Sequence, residues 1–268
     1  MVRKPAVAGY FYPRNAASLR ALLGEMVDPR AKKEKARAVV SPHAGFAYSG
    51  YVAGAVYSSV LLPERYVILG PSHRGQRSLF GIMTEGSWET PLGEVPIDSA
   101  LAEALLRSSP LIKEEEGAHE EEHSLEVQLP FLQYLRSGFS FVPVSVSTAA
   151  DFGALEALGH ALAAVIRQAE KDVLVVASTD MSHYVSQETA REKDFLAIER
   201  IQALDARGLY DVVQAQAISM CGFQPTTGAI LAAKELGASR ADLVRYMTSG
   251  ETSGDTHQVV GYAGLRLV

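Results

Sequence analysis

The chain contains 268 residues, of which 47% are hydrophobic and 21% are charged, and its formal net charge at pH 7 is −6. A chain of this length can bury one large core, so we expect a single domain over residues 1–268. The negative charge argues against binding to nucleic acid or to an anionic membrane surface, since both attract clustered Lys and Arg side chains.

The first predicted elements are a helix and a strand. Asn15 is placed to cap a helix whose apolar residues recur at helical spacing as far as Val27. The apolar run Ala38-Val39-Val40 is typical of a buried strand, and it leads into Ser41-Pro42-His43. Because a helix is predicted again over Tyr51–Leu62, His43 lies in the loop of a β-loop-α unit.

Two later apolar runs also end in a short polar segment with a histidine. Residues 66–69 lead into Gly70-Pro71-Ser72-His73, and residues 173–177 lead into Ser178-Thr179-Asp180-Met181-Ser182-His183. Such runs are typical of buried parallel strands, and open α/β sheets bind ligands in the crevice outside the strand carboxyl ends. We therefore expect the three histidines to converge on one place.

The remaining segments alternate between strand-like and helix-like patterns. Further strands are predicted at 79–83, 139–146, 243–247 and 259–267, and further helices at 98–107, 124–135, 151–170, 188–204, 209–216 and 225–236. Strands that alternate with helices predict an α/β fold. We expect a single layered domain with a central, mostly parallel or mixed β-sheet flanked by helices.

Cysteine usage and the start of the chain predict a cytoplasmic location. Cys221 is the one cysteine of the chain, so no internal disulfide can form, which suits a reducing compartment. Residues 1–8 lack the apolar segment of a signal peptide, and no apolar stretch is long enough to span a bilayer. We expect a cytoplasmic protein with a small molecule or a peptide as its partner.

His43 and His73 are the leading candidates for metal ligands. A neutral imidazole is the commonest protein ligand for metals, and sheet ends bring distant residues together. Each of the two comes directly after a Pro and a Ser, with Gly45 or Gly75 two residues on, so the backbone can turn tightly. One loop histidine alone is better explained by ordinary hydrogen bonds, but two at equivalent strand ends favour a site, with Ser72 beside it.

His183 has the same placement and is preceded by Asp180. A carboxylate near an imidazole can fix its tautomer and raise its basicity, so His183 is either a third ligand or a general base. We favour catalytic contact with the substrate, although a turn or cap role for Asp180 fits equally well. Cys221 is by frequency a buried small hydrophobe, whereas a thiolate near two imidazoles would favour zinc, copper(I) or iron.

The segment His119-Glu120-Glu121-Glu122-His123 matches the H-E-x-x-H motif of zinc proteases. A zinc-protease helix is half buried, yet no large apolar residue occurs over 113–123, so a solvated acidic face is the favoured interpretation. His123 and Glu126 differ because they lead into an apolar pattern and share a helix face at i, i+3. They would reach the pocket behind the metal ligands, or form only a helix start with a local ion pair.

Together these residues resemble the Memo-like family over almost the whole chain. The matching motifs are Ala8-Gly9-Tyr10-Phe11-Tyr12-Pro13, Ser41-Pro42-His43-Ala44-Gly45, Leu69-Gly70-Pro71-Ser72-His73, Glu122-His123-Ser124-Leu125-Glu126, Ser178-Thr179-Asp180-Met181-Ser182-His183, Cys221-Gly222 and Val260-Gly261-Tyr262-Ala263. By position, His43 and His73 match the metal-binding histidines of the family, and Cys221 matches its cysteine ligand. Asp180 and His183 match its other polar pocket residues.

The resemblance also implies a fold and a chemistry. The fold would be similar to that of class III extradiol ring-cleaving dioxygenases, which hold iron(II) with two histidines and one carboxylate and use a further histidine as acid/base. One transition metal ion, iron(II) or copper with zinc as a further option, would support redox or oxygenase-type chemistry on an unknown small substrate. Microbial relatives are often encoded beside a radical SAM protein, which implies a shared pathway.

One replacement motivates a second hypothesis. A cysteine stands where the dioxygenases have a carboxylate, and a soft anionic thiolate changes both metal preference and redox poise. The alternative function is therefore a non-catalytic module that uses the inherited pocket to bind a peptide or a partner protein.

Overall fold

The strands of the protein form one large and one small sheet. The computed structural model describes residues 1–268. Its strands are β1 Val2–Arg3, β2 Ala38–Ser41, β3 Arg65–Pro71, β4 Phe80–Ile82, β5 Ser87–Thr90, β6 Gly93–Pro96, β7 Ile112–Glu114, β8 Ser140–Val146, β9 Val173–Ser178, β10 His183–Val185, β11 Ala241–Thr248 and β12 Val259–Leu267. The large sheet has the order β10-β12-β2-β9-β3-β8-β4-β7, with β11 paired to β12, and β1, β5 and β6 form the small sheet.

The helices pack around the large sheet. They are α1 Ala16–Met26, α2 Phe46–Ser58, α3 Ser99–Ser108, α4 Leu129–Leu135, α5 Phe152–Gln168, α6 Gln187–Gln202, α7 Ala206–Ala215, α8 Phe223–Glu235 and α9 Gly250–Ser253. Helix α2 packs against β2, β11 and β12, and α8 packs against β2, β3 and β9. The predicted α/β fold with a mixed sheet and flanking helices is thus confirmed. None of these helices combines the length and the apolar character that crossing a bilayer requires.

The three strands that end in a histidine segment are neighbours at the centre of the sheet. Strand β9 lies between β2 and β3 and is parallel to both, and β8 extends the parallel group beyond β3. Every residue of β2 and β9 is buried, as their uninterrupted apolar sequences predict. Because adjacent parallel strands end at the same edge of a sheet, the segments that follow them open onto one region.

Several predicted helix boundaries are confirmed, and others shift. Asn15, Asp98 and Asp151 each accept a backbone N–H of the first turn and begin α1, α3 and α5. Helix α2, predicted over Tyr51–Leu62, instead begins at Phe46, immediately after the histidine segment. The helix predicted over 124–135 is divided into a 3-10 turn, Glu126–Gln128, and α4, whose first turn contains Pro130.

Candidate metal centre

Three histidines form a cluster at the carboxyl edge of the parallel strands. His43 follows β2, His73 follows β3, and His123 precedes the 3-10 turn Glu126–Gln128. The ring centroids are 5.2 Å apart for His43 and His73, 5.4 Å for His43 and His123, and 4.6 Å for His73 and His123. One ring nitrogen from each residue lies within 4.8 Å of the other two. We call these three residues the histidine cluster.

The tautomer of His43 follows from the hydroxyl of Ser178. This hydroxyl donates its one proton to the carbonyl oxygen of Ser124, at 2.6 Å, and accepts the Nε2 amide of Gln128, at 2.8 Å. Its remaining contact is the Nδ1 atom of His43, at 3.0 Å, so that nitrogen must be the donor. His43 Nε2 therefore carries a lone pair, which is the form that binds a metal.

Glu122 fixes His73 in the same way. A carboxylate oxygen of Glu122 accepts the Nδ1 proton of His73 at 2.9 Å, and the other accepts the His73 backbone N–H at 2.7 Å. Burial would raise the pKa of Glu122, but the bonds from His73 and from the Ser124 backbone lower it to about 2. The carboxylate is thus charged at neutral pH and favours the tautomer of His73 that carries its proton on Nδ1 and its lone pair on Nε2.

His123 completes the cluster from the loop before α4. Its Nδ1 atom lies 3.4 Å from the nearer oxygen of Glu122, and its ring centroid lies 4.9 Å from that of Phe11. Burial lowers the pKa of His123 to about 4 despite the negative charge of Glu122. Burial and the neighbouring histidines also hold the pKa of His43 well below its usual range. These two rings are therefore neutral at pH 7.

Cys221 and Asp180 border the cluster on the side of His43. The Sγ atom of Cys221 lies 3.2 Å from His43 Nε2, and the nearer oxygen of Asp180 lies 3.9 Å from the same nitrogen. Asp180 also accepts the His43 backbone N–H at 2.8 Å, so it holds the loop that carries this ligand candidate. Burial and the adjacent Asp180 raise the pKa of Cys221, so the sulfur is a thiol in the metal-free protein.

The structure also shows why Cys221 reaches this place. A Cβ atom at Gly222 would lie 2.4 Å from the carbonyl oxygen of Ser178, so only glycine lets this loop approach the end of β9 so closely. The Gly222 N–H also donates to the hydroxyl of Thr179 at 2.9 Å. The predicted meeting of Cys221 with His43 across 178 residues of sequence is thus present in the fold.

His183 lies outside the histidine cluster but acts on it electrostatically. Its Nδ1 atom donates to the carbonyl oxygen of Ser219 at 2.9 Å, which leaves Nε2 as a proton acceptor. A positive charge on His183 would lower the pKa of both Asp180 and His43, since its charge reaches both groups. The role of His183 as a base or a substrate contact therefore stays a prediction.

Ser72 and Glu126, two residues predicted to lie at the pocket, do not hydrogen-bond to the histidine cluster. The Ser72 hydroxyl is buried and has no hydrogen-bond partner, which leaves it free for a bound group. Glu126 is fully buried and accepts bonds from Arg3, Tyr12 and the backbone of residues 6 and 7, so it does not bond to any histidine. Sequence reasoning gave no sign of Arg3, the cation that balances this carboxylate.

The H-E-x-x-H segment is not a zinc-protease helix. Its first histidine, His119, is fully buried, its Nε2 atom contacts the carbonyl oxygen of Gly81 at 3.1 Å, and it is not a member of the cluster. The interpretation of the run as a solvated acidic face holds for Glu120 and Glu121. It is wrong for His119 and Glu122, because neither side chain is exposed. The charge pattern of the sequence alone could not distinguish the buried side chains of this loop from the exposed ones.

A large cleft lies at the opposite edge of the sheet. It has a volume of about 940 Å³ and is lined at the amino ends of β3 and β8 by residues that include Arg65, Asp98 and Ser140. The histidine cluster does not line it. The cluster is reached from solvent through His73, whose side chain is 31% exposed, whereas that of His43 is 2% exposed.

The donors of the cluster fit a transition-metal ion. Two imidazoles have their Nδ1 protons bonded, so their Nε2 lone pairs are free, and His123 is neutral. Neutral imidazole suits zinc, copper and iron, and a nearby sulfur shifts the preference further from magnesium and calcium. Of the nearby carboxylates, Glu122 bonds to His73, and Asp180 bonds to the His43 backbone through one oxygen while the other lies 3.9 Å from His43 Nε2.

The acid sensitivity of the fold provides a test of the Glu122 contact. Its folded-state pKa of about 2 is below the ordinary value of 4.5, so the charged form stabilises the fold above about pH 4.5. We expect protonation of Glu122 to cost the metal-free protein about 3 kcal/mol of unfolding free energy as the pH falls from 4.5 through 2. Urea unfolding of the wild type and of Glu122→Gln between pH 7 and pH 2 measures this contribution. The variant should lose less stability than the wild type by about this amount, with the rest of the loss due to other groups such as His119 and His123, and an equal loss in both proteins would contradict the assignment.

Comparison with known proteins supports the whole-chain assignment. The Memo-like protein family matches residues 3–266. A MEMO1 family protein of Methanothermobacter thermautotrophicus is 43% identical over 99% of this chain and 100% of its own length. A MEMO1 family protein of Aquifex aeolicus is 42% identical over 98% of each chain. The crystal structure of an uncharacterised protein from Escherichia coli K12 matches with a TM-score of 0.53 and 15% identity, covering 85% of this chain and 99% of that one, which shows the fold alone.

Proposed function

This chain belongs to the Memo-like family, and we propose that it is a cytoplasmic metal-dependent oxidoreductase that acts on a small substrate. The observation that carries the proposal is the histidine cluster, in which three ring nitrogens from three separate loops lie within 4.8 Å of one another. Converging imidazoles, two of which have their Nδ1 atoms bonded, form a site for one ion.

The residues divide into ligands and supporting groups. His43, His73 and His123 would hold the ion, and Cys221 would join them after loss of its proton. We propose iron(II) or copper as the native metal, with zinc as a further option, because imidazole and thiolate both suit these ions. Such an ion would supply redox or Lewis-acid chemistry to a bound substrate.

The neighbouring side chains have roles that do not depend on the identity of the metal. Asp180 holds the backbone of His43, and Glu122 holds both the ring and the backbone of His73. His183 has a free Nε2 atom and is fixed by Ser219, so it can take up or release a proton beside the site. We propose His183 as the general acid/base, with Asp180 tuning it.

Metal content tests the first part of the proposal. The protein is purified without oxygen, and iron, copper and zinc are measured before and after addition of each ion. We expect one equivalent per chain, with an X-ray absorption spectrum dominated by nitrogen donors at about 2.0–2.1 Å, the distance typical of imidazole on zinc. Protein that stays empty after addition of all three ions would refute metal binding.

Oxygen uptake tests the catalytic part. Iron-loaded protein is mixed with oxygen and a panel of catechols and related small phenols as probes. His183→Ala should lower turnover about 100- to 10,000-fold while leaving the bound metal unchanged, because general acid/base groups typically contribute this much. His160→Ala, a change of a surface histidine paired with Glu235, is the control and should retain full activity. Equal turnover in the His183→Ala variant would exclude the assigned role.

A non-catalytic binding module is the second candidate. It is favoured by Cys221, whose sulfur lies 3.2 Å from His43 Nε2, nearer than the closest oxygen of Asp180 at 3.9 Å, while both oxygens of Glu122 bond to His73. Iron oxygenases commonly use two histidines and one carboxylate. Metal binding without oxygen uptake on any probe, combined with binding of a peptide, would favour this candidate. In either case we propose a place in a pathway with a radical SAM protein.

A further inference from the structure

The N-terminal arm, which we define as residues 3–12, is attached to the loop that carries His123 and Glu122. Arg3 is almost fully buried, and its guanidinium lies 4.1 Å from the centroid of the Trp88 ring. It donates to the carbonyl oxygen of His119 at 2.9 Å and to that of Glu122 at 2.7 Å. It also pairs with the carboxylate of Glu126. One side chain from the arm thus bonds to three points of the segment 119–126.

Glu126 binds the rest of the arm in return. Its carboxylate accepts the backbone N–H of Ala6 at 2.8 Å, that of Val7 at 3.2 Å and the hydroxyl of Tyr12 at 2.5 Å. The arm then places the Phe11 ring 4.9 Å from the ring of His123. Both ends of the arm are therefore fixed by one carboxylate, and its Phe11 side chain packs against one histidine of the cluster.

The backbone that Arg3 holds is the backbone that orients the ligands. Glu122 bonds to the ring of His73, and His123 is the next residue along the chain. A shift of the Glu122 carbonyl would move both of these side chains. His43 is oriented by a separate set of bonds from Ser178 and Asp180, so it would be left in place.

We propose that Arg3 is a positioning residue for the metal centre, and that docking of the N-terminal arm and binding of the metal stabilise each other. The inference rests on the proposed metal binding at the histidine cluster. Coupling between two binding equilibria is reciprocal, so an arm that raises the metal affinity by some factor must itself be stabilised by the metal by the same factor.

The first test compares variants of neighbouring cations. Arg3→Met combined with Glu126→Gln removes both buried charges together and so avoids an unpaired one. Lys4→Met removes the adjacent cation, whose partner Glu89 lies on the surface. Cobalt(II) affinity is measured by competition with a chromophoric chelator. We expect a loss of about 10- to 100-fold in the double variant, as for other groups that orient ligands, and none for Lys4→Met.

The cobalt absorption bands provide a readout that simple destabilisation would not move. Displacement of His73 and His123 changes the coordination of the ion, so the bands of the double variant should differ in position from those of the wild type. A double variant that is folded by circular dichroism, with unchanged affinity and unchanged bands, would overturn the proposal. Arg3→Lys keeps the charge, but its donors all lie on one nitrogen and lack the planar fork that reaches separated acceptors, so it should give an intermediate affinity.

The second test uses the unmodified protein. Saturation with zinc should slow hydrogen exchange at the amides of Ala6 and Val7 by about the factor that the variants lose in affinity. Amides of α7 are the reference and should not change. Zinc that binds without slowing exchange in the arm would refute the coupling and leave the metal site standing. A wild-type protein that binds neither cobalt nor zinc would refute the proposed function itself, and the coupling with it.

Discussion

His43→Ala is expected to lower the metal affinity more than about 100-fold, because even residues that only orient a ligand contribute about 10- to 100-fold. His43 is the most buried member of the cluster, and its Nε2 atom faces the sulfur of Cys221. Loss of the ring therefore removes a ligand from the centre of the donor set. Titration with zinc against a chromophoric chelator measures the change.

Two further histidines test whether the loss is specific. His73→Ala should reduce the affinity to a similar extent, since it also contributes a free Nε2 atom. His160→Ala should have no effect, because this histidine lies on α5 and contacts Glu235 at the surface. Wild-type affinity in His43→Ala would show that the ion, if bound, lies somewhere else.

Glu126→Ala is expected to cost about 3–5 kcal/mol of unfolding free energy, as is typical when one partner of a buried ion pair is removed. The substitution would leave the Arg3 guanidinium without its carboxylate, and Tyr12 and two backbone N–H groups without their acceptor. Each unsatisfied buried donor adds its own desolvation penalty. Urea unfolding at pH 7 measures the loss.

The double variant provides the matched comparison. Arg3→Met with Glu126→Gln removes both charges and retains an apolar side chain against Trp88 and an amide oxygen as acceptor. We expect it to recover most of the stability, since replacing a whole buried pair often costs little. If the double variant were as unstable as Glu126→Ala, the uncompensated charge would not be the cause of the loss.

The sequence predicted the parts of the site in which a strand is followed directly by its own histidine segment. Each of the three apolar runs contains its own strand and its own histidine segment, so parallel pairing alone brings the segments to one edge. Glycine at position 222 beside Cys221 likewise matches the close approach to Ser178. These features require only that neighbouring strands end together, which is general for parallel sheets.

The parts that could not be predicted depend on distant partners. Arg3 meets Glu126 across 123 residues, and no periodicity in residues 1–8 distinguishes an inward arginine from an exposed one. The short strands β1, β5 and β6 have too few residues to show alternation. His123 was expected behind the ligands, whereas its ring stands beside the other two, because the helix predicted over 124–135 begins with an irregular turn.

The hydroxyl of Ser178 limits what His43 can do. Tyr57 donates to the amide oxygen of Gln128 at 2.8 Å, and the amide nitrogen of Gln128 donates in turn to Ser178. Since the Ser178 proton is committed to the carbonyl oxygen of Ser124, every hydrogen bond in this series is donated toward that carbonyl oxygen. The His43 imidazole cannot pass its Nδ1 proton to Ser178, because this series of hydrogen bonds ends at a carbonyl oxygen. His43 is therefore excluded as a proton relay, and its Nε2 lone pair is available to bind a metal. A proton that leaves the histidine cluster therefore cannot take the route through His43 and Ser178.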